Sequence, residues 1–362
     1  MSGATVTADH AQTSDRTAGS ARRILAVAPV DHPGGAETGL LRLLARLGAR
    51  GWQVTVTTPG HGPLREAALR AGHRWEPLAL GGLRPRSGAR AVRSWPRARR
   101  LAGRADVIYL NGGVCGRLLP VLRAGAARRV LHVHDIVTRV PAMWRRADLV
   151  LADSGAVAAA LPGLRAAVVH VPVESDPPPA TAPWDRGGGG PVIGFVGRIE
   201  PRKGTLDLVR AAPAIRRGAP GACIVVIGGD PYGSDPAYLR AVTDSPEVEH
   251  HPWMDNVTGV MRHLDVLVLP SLQEPFGTVL AEAMIVGTPV VATRVGGLAE
   301  VVQDGVTGRL VTPGDPQALA AGVLDVLGRR EAMSAAARAA ARRFGADDYA
   351  DRVERLLIAG AR

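Results

Sequence analysis

The chain reads as an α/β protein of two Rossmann-like, parallel-sheet domains facing each other across a cleft. Three observations predict this. Short apolar runs alternate with helical patterns along most of the chain, as parallel βαβ units require. A segment from Glu174 to Gly190, containing Pro177-Pro178-Pro179 and the glycines 187–190, splits that alternation into halves of similar size. A length of 362 residues also exceeds what one ordinary core holds.

The elements follow in order. Residues 1–21 are polar and rich in Ser, Thr and Ala, without the apolar core of a signal peptide, and read as a disordered tail. The first domain, 22–173, opens with a buried strand from Ile24 to Val30 and a helix from Thr38 to Leu47 with leucines on one broad face. Further strands are expected at Trp52–Thr57, Val107–Leu110, Val130–Val133, Leu149–Ala152 and Val168–Val171. Residues 174–190 read as a Pro/Gly-rich linker that cannot form a packed core. The second domain, 191–343, is expected to carry strands at Val192–Val196, Cys223–Ile227, Val266–Leu269, Val290–Ala292 and Gly308–Val311. Its helices are expected at Leu206–Arg217, Thr278–Ile285, Pro316–Leu327 and Glu331–Arg343. Residues 344–362 supply a terminal helix, expected to pack back on the first domain.

Composition narrows the function. Cys115 and Cys223, the two cysteines, offer neither a metal-ligand spacing nor a disulfide framework, which fits a cytoplasmic setting. No apolar run approaches the roughly 20 residues that span a bilayer. The net charge of +11 is uneven. Ala21 to Val173 holds 24 arginines against 8 acids, whereas Pro191 to Arg362 holds 18 basic and 20 acidic residues. The basic half suits a surface or acceptor of negative charge. Its densest stretch, Arg84 to Arg104, has 8 arginines and no acid. A solvated face in an arginine-biased protein accounts for it. As a functional patch it would touch an anionic membrane at its periphery or a phosphorylated acceptor. Pro96 is expected to interrupt any helix there.

The chemistry-bearing residues sit in loops that follow strands. Glu274-Pro275-Phe276-Gly277-Thr278 lies between an apolar strand and a helix, with Glu282 further along that helix. Amides at a helix start are unpaired and carry partial positive charge, which suits a phosphate. The two carboxylates can accept hydrogen bonds from sugar hydroxyls on either side of it. Together they match the chemical shape of a nucleotide-sugar. After the first strand of the same half comes Arg198-Ile199-Glu200-Pro201-Arg202-Lys203-Gly204, which holds the chain's one lysine among 44 basic residues. Arg198 and Lys203 can offset charge developing on a leaving diphosphate without a metal. No Asp-x-Asp occurs to hold one, and no metal or other cofactor is expected.

These segments, with Gly287 to Gly297, Asp304 to Gly308 and the first-half loop Gly34-Gly35-Ala36-Glu37, resemble the retaining group-1 glycosyltransferases of GT-B fold. The resemblance runs from about Arg23 to the end and is more specific in the second half. It implies that Arg198 and Lys203 clamp the donor diphosphate, that Glu282 binds the ribose hydroxyls, and that Glu274 contacts the transferred sugar. Backbone amides of Phe276, Gly277 and Thr278 would hold sugar or phosphate oxygens. Gly34 and Gly35 would let the first domain approach the donor, and His134 would face the transferred sugar. Met254, within Trp253 to Asp255, falls where the family holds the base; that stretch matches poorly. UDP is the nucleotide the family favours, with GDP next, and the acceptor hydroxyl is left open. Retaining members are thought to use the donor phosphate to take the acceptor proton, so no protein base is nominated.

Other classes fit less well. A nucleotide-sugar epimerase shares the architecture but transfers nothing to an acceptor. An arginine-rich nucleic-acid-binding protein would leave Glu274 and Glu282 unexplained and lacks stacking aromatics among its arginines, so no nucleic-acid partner is expected. A dinucleotide oxidoreductase would need a Gly-x-Gly-x-x-Gly after the first strand, which is absent.

Overall fold

The computed structural model describes residues 21–81, 88–125, 127–184 and 189–359, and the side chains of 88–90 are outside that description. The expected tail at 1–21, Arg84, Arg86 and Gly187-Gly188 lie wholly or almost wholly outside the described residues.

Two parallel sheets form. The first domain runs β1 (Arg23–Val27), α1 (Gly35–Ala49), β2 (Gln53–Thr58), α2 (Pro63–Arg70), β3 (Arg74–Pro77), α3 (Gly88–Ala102), β4 (Val107–Asn111), β5 (Arg128–Val133), β6 (Leu149–Ala152), α4 (Gly155–Ala159) and β7 (Ala166–Val168). The second runs β8 (Val192–Arg198), α5 (Thr205–Gly218), β9 (Cys223–Gly229), α6 (Pro236–Thr243), β10 (Glu249–His251), α7 (Val257–Met261), β11 (Val266–Leu269), α8 (Thr278–Ile285), β12 (Val290–Thr293), α9 (Leu298–Val301), β13 (Gly308–Val311), α10 (Pro316–Gly328), α11 (Arg330–Ala341) and α12 (Ala346–Ile358). The strand orders are β3-β2-β1-β4-β5-β6-β7 and β10-β9-β8-β11-β12-β13. In each sheet the order reverses beside the first strand, between β1 and β4 and between β8 and β11. Open parallel sheets bind ligands at that reversal, beyond the carboxyl ends of the strands. The register there is tight, with Ala26 opposite Tyr109 and Leu267 opposite Gly194.

Apolar side chains cover both faces of the first sheet. Leu25, Ile108 and Leu131 face one cluster, and Ile24, Val107 and Val130 face the other. The latter also takes Tyr349, Ala350, Val353 and Leu357 from α12, so the chain's end returns to the first domain. The two crossings between domains are stitched together. Val173 N–H donates to Phe344 O at 2.8 Å, and Ala346 N–H donates to Val173 O at 3.0 Å.

Several details differ from the sequence reading. β3 and β10 are polar edge strands, Arg-Trp-Glu-Pro and Glu-His-His, and carry no apolar run to reveal them. β7 pairs as Ala166–Val168, three residues against β6, and the chain leaves the sheet where Val168–Val171 was expected. α3 continues through Pro96, contrary to the expected break. The carbonyl that loses its partner to Pro96 belongs to Val92, which is half exposed and open to water. The Pro-rich segment is not a loose tether. Its carbonyls at Pro177, Pro178 and Ala180 accept from Arg262, Asn256 and His263, and Trp184 is buried in the second core. No helix among the described residues is long and apolar enough to cross a membrane.

Candidate active site

The loops after β8 and β11 meet at the reversal of the second sheet. A short 3-10 turn at Pro201–Lys203 ends on Gly204, whose φ of +64° leads into α5. A Cβ on Gly204 would lie 2.0 Å from Pro270 O, so only glycine lets the loop pass this close to β11. That approach brings Lys203 Nζ to 2.5 Å from Glu274 Oε2, across 71 residues of sequence. Ser271 Oγ donates to the same oxygen at 3.2 Å. Both members of the pair are largely buried, at 14% and 9% side-chain exposure. The sequence reading gave Lys203 and Glu274 separate tasks; the fold joins them directly.

Gly277 starts α8 at φ +90°, and no side chain caps the helix. A Cβ there would meet Leu298 Cδ2 at 2.4 Å. The first amides of α8, Thr278 among them, therefore stand ahead of the helical ladder with no side-chain acceptor spent on them. The Phe276 ring is only 2% exposed, stacked on His170 and set edge-on to Phe344, so its backbone is the part it offers the cleft.

Arg198 ends β8 with its side chain a third exposed. Its guanidinium lies 3.4 Å from Glu200 Oε2 and 5.8 Å from the centroid of the Tyr232 ring. Tyr232 is 68% exposed on a loop organised by Asp230, which accepts from Tyr232 N, Ser234 Oγ and Asp235 N. Of the expected base-binding stretch, Met254 packs partly against the core. The neighbouring Trp253 is half exposed, with its Nε1 3.7 Å from a Cβ placed on Gly229. The aromatic surface at these strand ends is thus Tyr232, which the sequence reading did not single out, and Trp253, which opens the stretch where the base was expected.

The first domain closes over this surface. Gly34 is extended and its N–H donates to Glu37 Oε2 at 3.1 Å. Glu37 is buried, and burial raises its pKa. A Cβ on Gly35 would lie 3.8 Å from Thr278 Oγ1, which places the glycine loop against the start of α8. Ser154 Oγ donates to Pro275 O at 2.6 Å. Glu300 accepts from the N–H groups of Gly155 and Ala156. Glu282 faces the first domain too, and its Oε1 accepts from Arg42 Nη2 at 2.9 Å.

His134 follows β5 and belongs to a buried polar chain. Tyr349 of α12 is hydrogen-bonded to Tyr109, and Tyr109 Oη lies 2.6 Å from His132 Nδ1. His132 Nε2 lies 2.8 Å from Asp153 Oδ1, and His134 Nδ1 lies 2.9 Å from Asp153 Oδ2. His134 Nε2 is 2.9 Å from Asn111 Oδ1, and the buried Asn111 Nδ2 has no hydrogen-bond partner among the described residues. Burial pushes His132 down to about 4, helped by the charge of His134. Burial opposes charge on His134, but Asp153, with Glu37 and Asp135, outweighs it and raises its pKa. Burial alone would raise Asp153; the two histidines hold it well below the usual carboxylate range. One ligand atom each from His132, His134 and Asp153 lies within 4.8 Å of the others, a spacing a cation can use. The sequence assigned His132 no role; here it is the link between Tyr109 and Asp153.

The geometry is that of a cleft with cationic groups, free helix-start amides and paired carboxylates on one wall, and a glycine loop and a histidine on Asp153 on the other. Known proteins share the family and the fold. The family model described as glycosyl transferases group 1 matches residues 190–329, and the model described as glycosyltransferase family 4 matches residues 33–174. A GDP-mannose-dependent alpha-(1-6)-phosphatidylinositol monomannoside mannosyltransferase of Mycolicibacterium smegmatis is 33% identical over 261 residues, 67% of each chain. The glycogen synthase of Mycobacterium tuberculosis is 36% identical over 156 residues, 42% of this chain and 38% of that one. The D-inositol 3-phosphate glycosyltransferase of Salinispora tropica is 38% identical over 173 residues, 44% of this chain and 36% of that one. The chain therefore spans less than two fifths of these last two relatives' length. Among solved structures, Anabaena HepE in complex with UDP and glucose superposes with a TM-score of 0.78 at 24% identity, covering 92% of this chain and 98% of that one. The sucrose-phosphate synthase of Thermosynechococcus elongatus gives 0.75 at 23% identity, covering 92% and 98%. The superpositions establish the GT-B fold. With a family model matched in each domain and a relative aligned along two thirds of its length, this chain belongs to the group 1 glycosyltransferases.

Proposed function

We propose that this protein is a retaining, metal-independent glycosyltransferase that moves a hexose-type sugar from a nucleoside diphosphate to an acceptor hydroxyl. The observation that carries the reading is the Lys203–Glu274 pair at 2.5 Å beside the uncapped start of α8. It supports a reading in which a cation stands by the leaving diphosphate and a carboxylate by the transferred sugar.

In the reaction the bond between the anomeric carbon and the diphosphate oxygen breaks. Negative charge grows on the diphosphate, and Lys203, Arg198 and the α8 amides face it. The acceptor oxygen forms the new bond on the same face, and its proton passes to the departing phosphate oxygen. Glu274 would accept a hydroxyl of the transferred sugar while holding Lys203 in place. His134 would act from the other wall by transferring its Nε2–H hydrogen bond, which Asn111 Oδ1 accepts here, to a sugar hydroxyl, with Asp153 orienting the ring. Glu282 would accept the ribose hydroxyls. Tyr232 and Trp253 would flank the nucleoside.

UDP-sugars are the favoured donors. The fold neighbour from Anabaena was solved with UDP and glucose, and the mannosyltransferase relative depends on GDP-mannose, so GDP-sugars come next. The arginine surface of α3 is suited to an acceptor, or a lipid face carrying it, of negative charge, in envelope-glycan, glycolipid or natural-product assembly. Calorimetric titration with UDP-, GDP-, ADP- and dTDP-sugars in excess chelator tests the donor. A dissociation constant in the micromolar range for one of them, lost in Glu274→Ala, is expected. No binding to any of them, or binding only with Mn²⁺ or Mg²⁺, would overturn the reading.

A further inference from the structure

Arg42 ties together the first domain, the interdomain crossing and the second domain, and no part of the reaction described so far uses it. It projects from α1, which Gly34 and Gly35 begin. Its Nη2 donates to Glu282 Oε1 at 2.9 Å, its Nη1 donates to Pro172 O at 2.6 Å, and its Nε lies 3.6 Å from Glu174 Oε1. The side chains of Arg42 and Glu282 are 13% and 15% exposed. Among the described residues Arg42 is the ion-pair partner of Glu282. A carboxylate has two oxygens and about four acceptor sites, and the guanidinium engages one oxygen. The other stays available for hydroxyls, on a carboxylate anchored at Oε1 by a guanidinium that the Pro172 carbonyl itself holds in place.

We propose that Arg42 is a positioning residue for the nucleoside ribose, aiming the Glu282 carboxylate at the ribose hydroxyls from the opposite domain. The proposal rests on the reading that Glu282 accepts those hydroxyls. Its consequence is that recognition of the ribose is completed only when the two domains meet, because the carboxylate belongs to one and its aiming group to the other. Burial by itself favours the protonated form of Glu282, and the Arg42 charge counters that. Without Arg42 the carboxyl would be both looser and easier to protonate, and a worse acceptor on each count.

The test compares UDP and GDP with their 2′-deoxy forms by calorimetry, using wild type, Glu282→Gln and Arg42→Met in the full chain. Wild type is expected to prefer the ribonucleotide by about tenfold or more, the effect of one hydrogen bond to a charged acceptor. Glu282→Gln is expected to lose most of that preference. Arg42→Met is expected to bind the ribonucleotide about tenfold more weakly, while the 2′-deoxy form binds within about threefold of wild type. A purely structural role would weaken both nucleotides equally. A wild-type preference retained in Arg42→Met, or equal weakening of both forms, overturns the proposal while leaving the ribose role of Glu282 standing. No preference in wild type, or none lost in Glu282→Gln, refutes the reading beneath it and the proposal with it. Arg42→Gln, which keeps an N–H for the Pro172 carbonyl, replaces the methionine variant if that one does not fold, with the same expected outcome and the same refutation.

Discussion

Replacing Lys203 with methionine keeps the aliphatic stem and removes the charge. Its Nζ lies 2.5 Å from Glu274 Oε2, with both side chains mostly out of water. At an effective dielectric of about 20, the gross attraction at that distance is about 7 kcal/mol. Desolvation offsets much of it, and breaking one side of a buried pair typically costs about 3–5 kcal/mol. The second domain should therefore unfold roughly 6–20 °C lower, at about 2–4 °C per kcal/mol for a domain of this size. Turnover should fall further than stability explains. Loss of one preorganised donor to a leaving oxyanion lowers kcat by about 10²–10³. The two effects separate in the double variant Lys203→Met with Glu274→Gln, where no charge is left buried. Its melting temperature should recover most of the loss, because replacing both partners is close to neutral, while its turnover stays low. The assays are differential scanning calorimetry and release of nucleoside diphosphate with the donor that binds best. Turnover of folded Lys203→Met within threefold of wild type would refute the placing of Lys203 on the leaving group. So would recovery of turnover together with stability in the double variant.

Further outcomes follow from the same geometry. The unfolded chain protonates His132 near pH 6.5, whereas the native state holds it neutral until about 4, chiefly through burial. Stability should thus fall as pH drops through that window, by as much as about 3 kcal/mol. In His132→Gln this slope should flatten, and a melting temperature that tracks pH as in wild type would count against the polar chain. Ser154→Ala removes the donor to the Pro275 carbonyl and the cap of α4, and should cost about 1–3 kcal/mol of stability with a raised donor KM; an unchanged KM would mean this bridge does not shape the donor site. Trp253 fluorescence should change on titration with UDP or GDP, and a signal from Trp253→Phe as large as wild type's would place the nucleoside elsewhere.

What the sequence revealed was what local pattern encodes. The strands at Leu149–Ala152 and Val266–Leu269 are largely buried apolar runs, and their limits agree with the structure, as do those of the edge strand Gly308–Val311. α8 is framed by Gly277 at its start and Gly287 soon after its end, so Thr278–Ile285 was legible as a helix. Because strands announce themselves and ligands collect at their carboxyl ends, the loops carrying Arg198, Lys203, Glu274, His134 and Gly34 could be placed without coordinates. Edge strands such as β10 are half wet and polar, and give no such signal. The groups that organise the site were hidden for another reason. Arg42 is one arginine among many on an amphipathic helix, and nothing near it in sequence points to Glu282, 240 residues away. Asp153 and Asn111 converge on His134 only because β4, β5 and β6 lie side by side. Tyr232 stands on a loop that Asp230 organises, and Trp253 lies beside Gly229 at the end of the neighbouring strand. Pairing across the fold decides such partners, and a residue's own neighbourhood carries no record of it.

The central claim is that Lys203, Arg198, Glu274 and the start of α8 together break a sugar–phosphate bond without a metal and with retention. Proton NMR of the protein mixed with an α-linked UDP- or GDP-sugar in excess chelator tests it directly, by reading the anomeric signal of the first sugar product before mutarotation. Wild type should release an α-configured product first, and Lys203→Met should release none. A β-configured first product, or cleavage that begins only when a divalent cation is added, would contradict it.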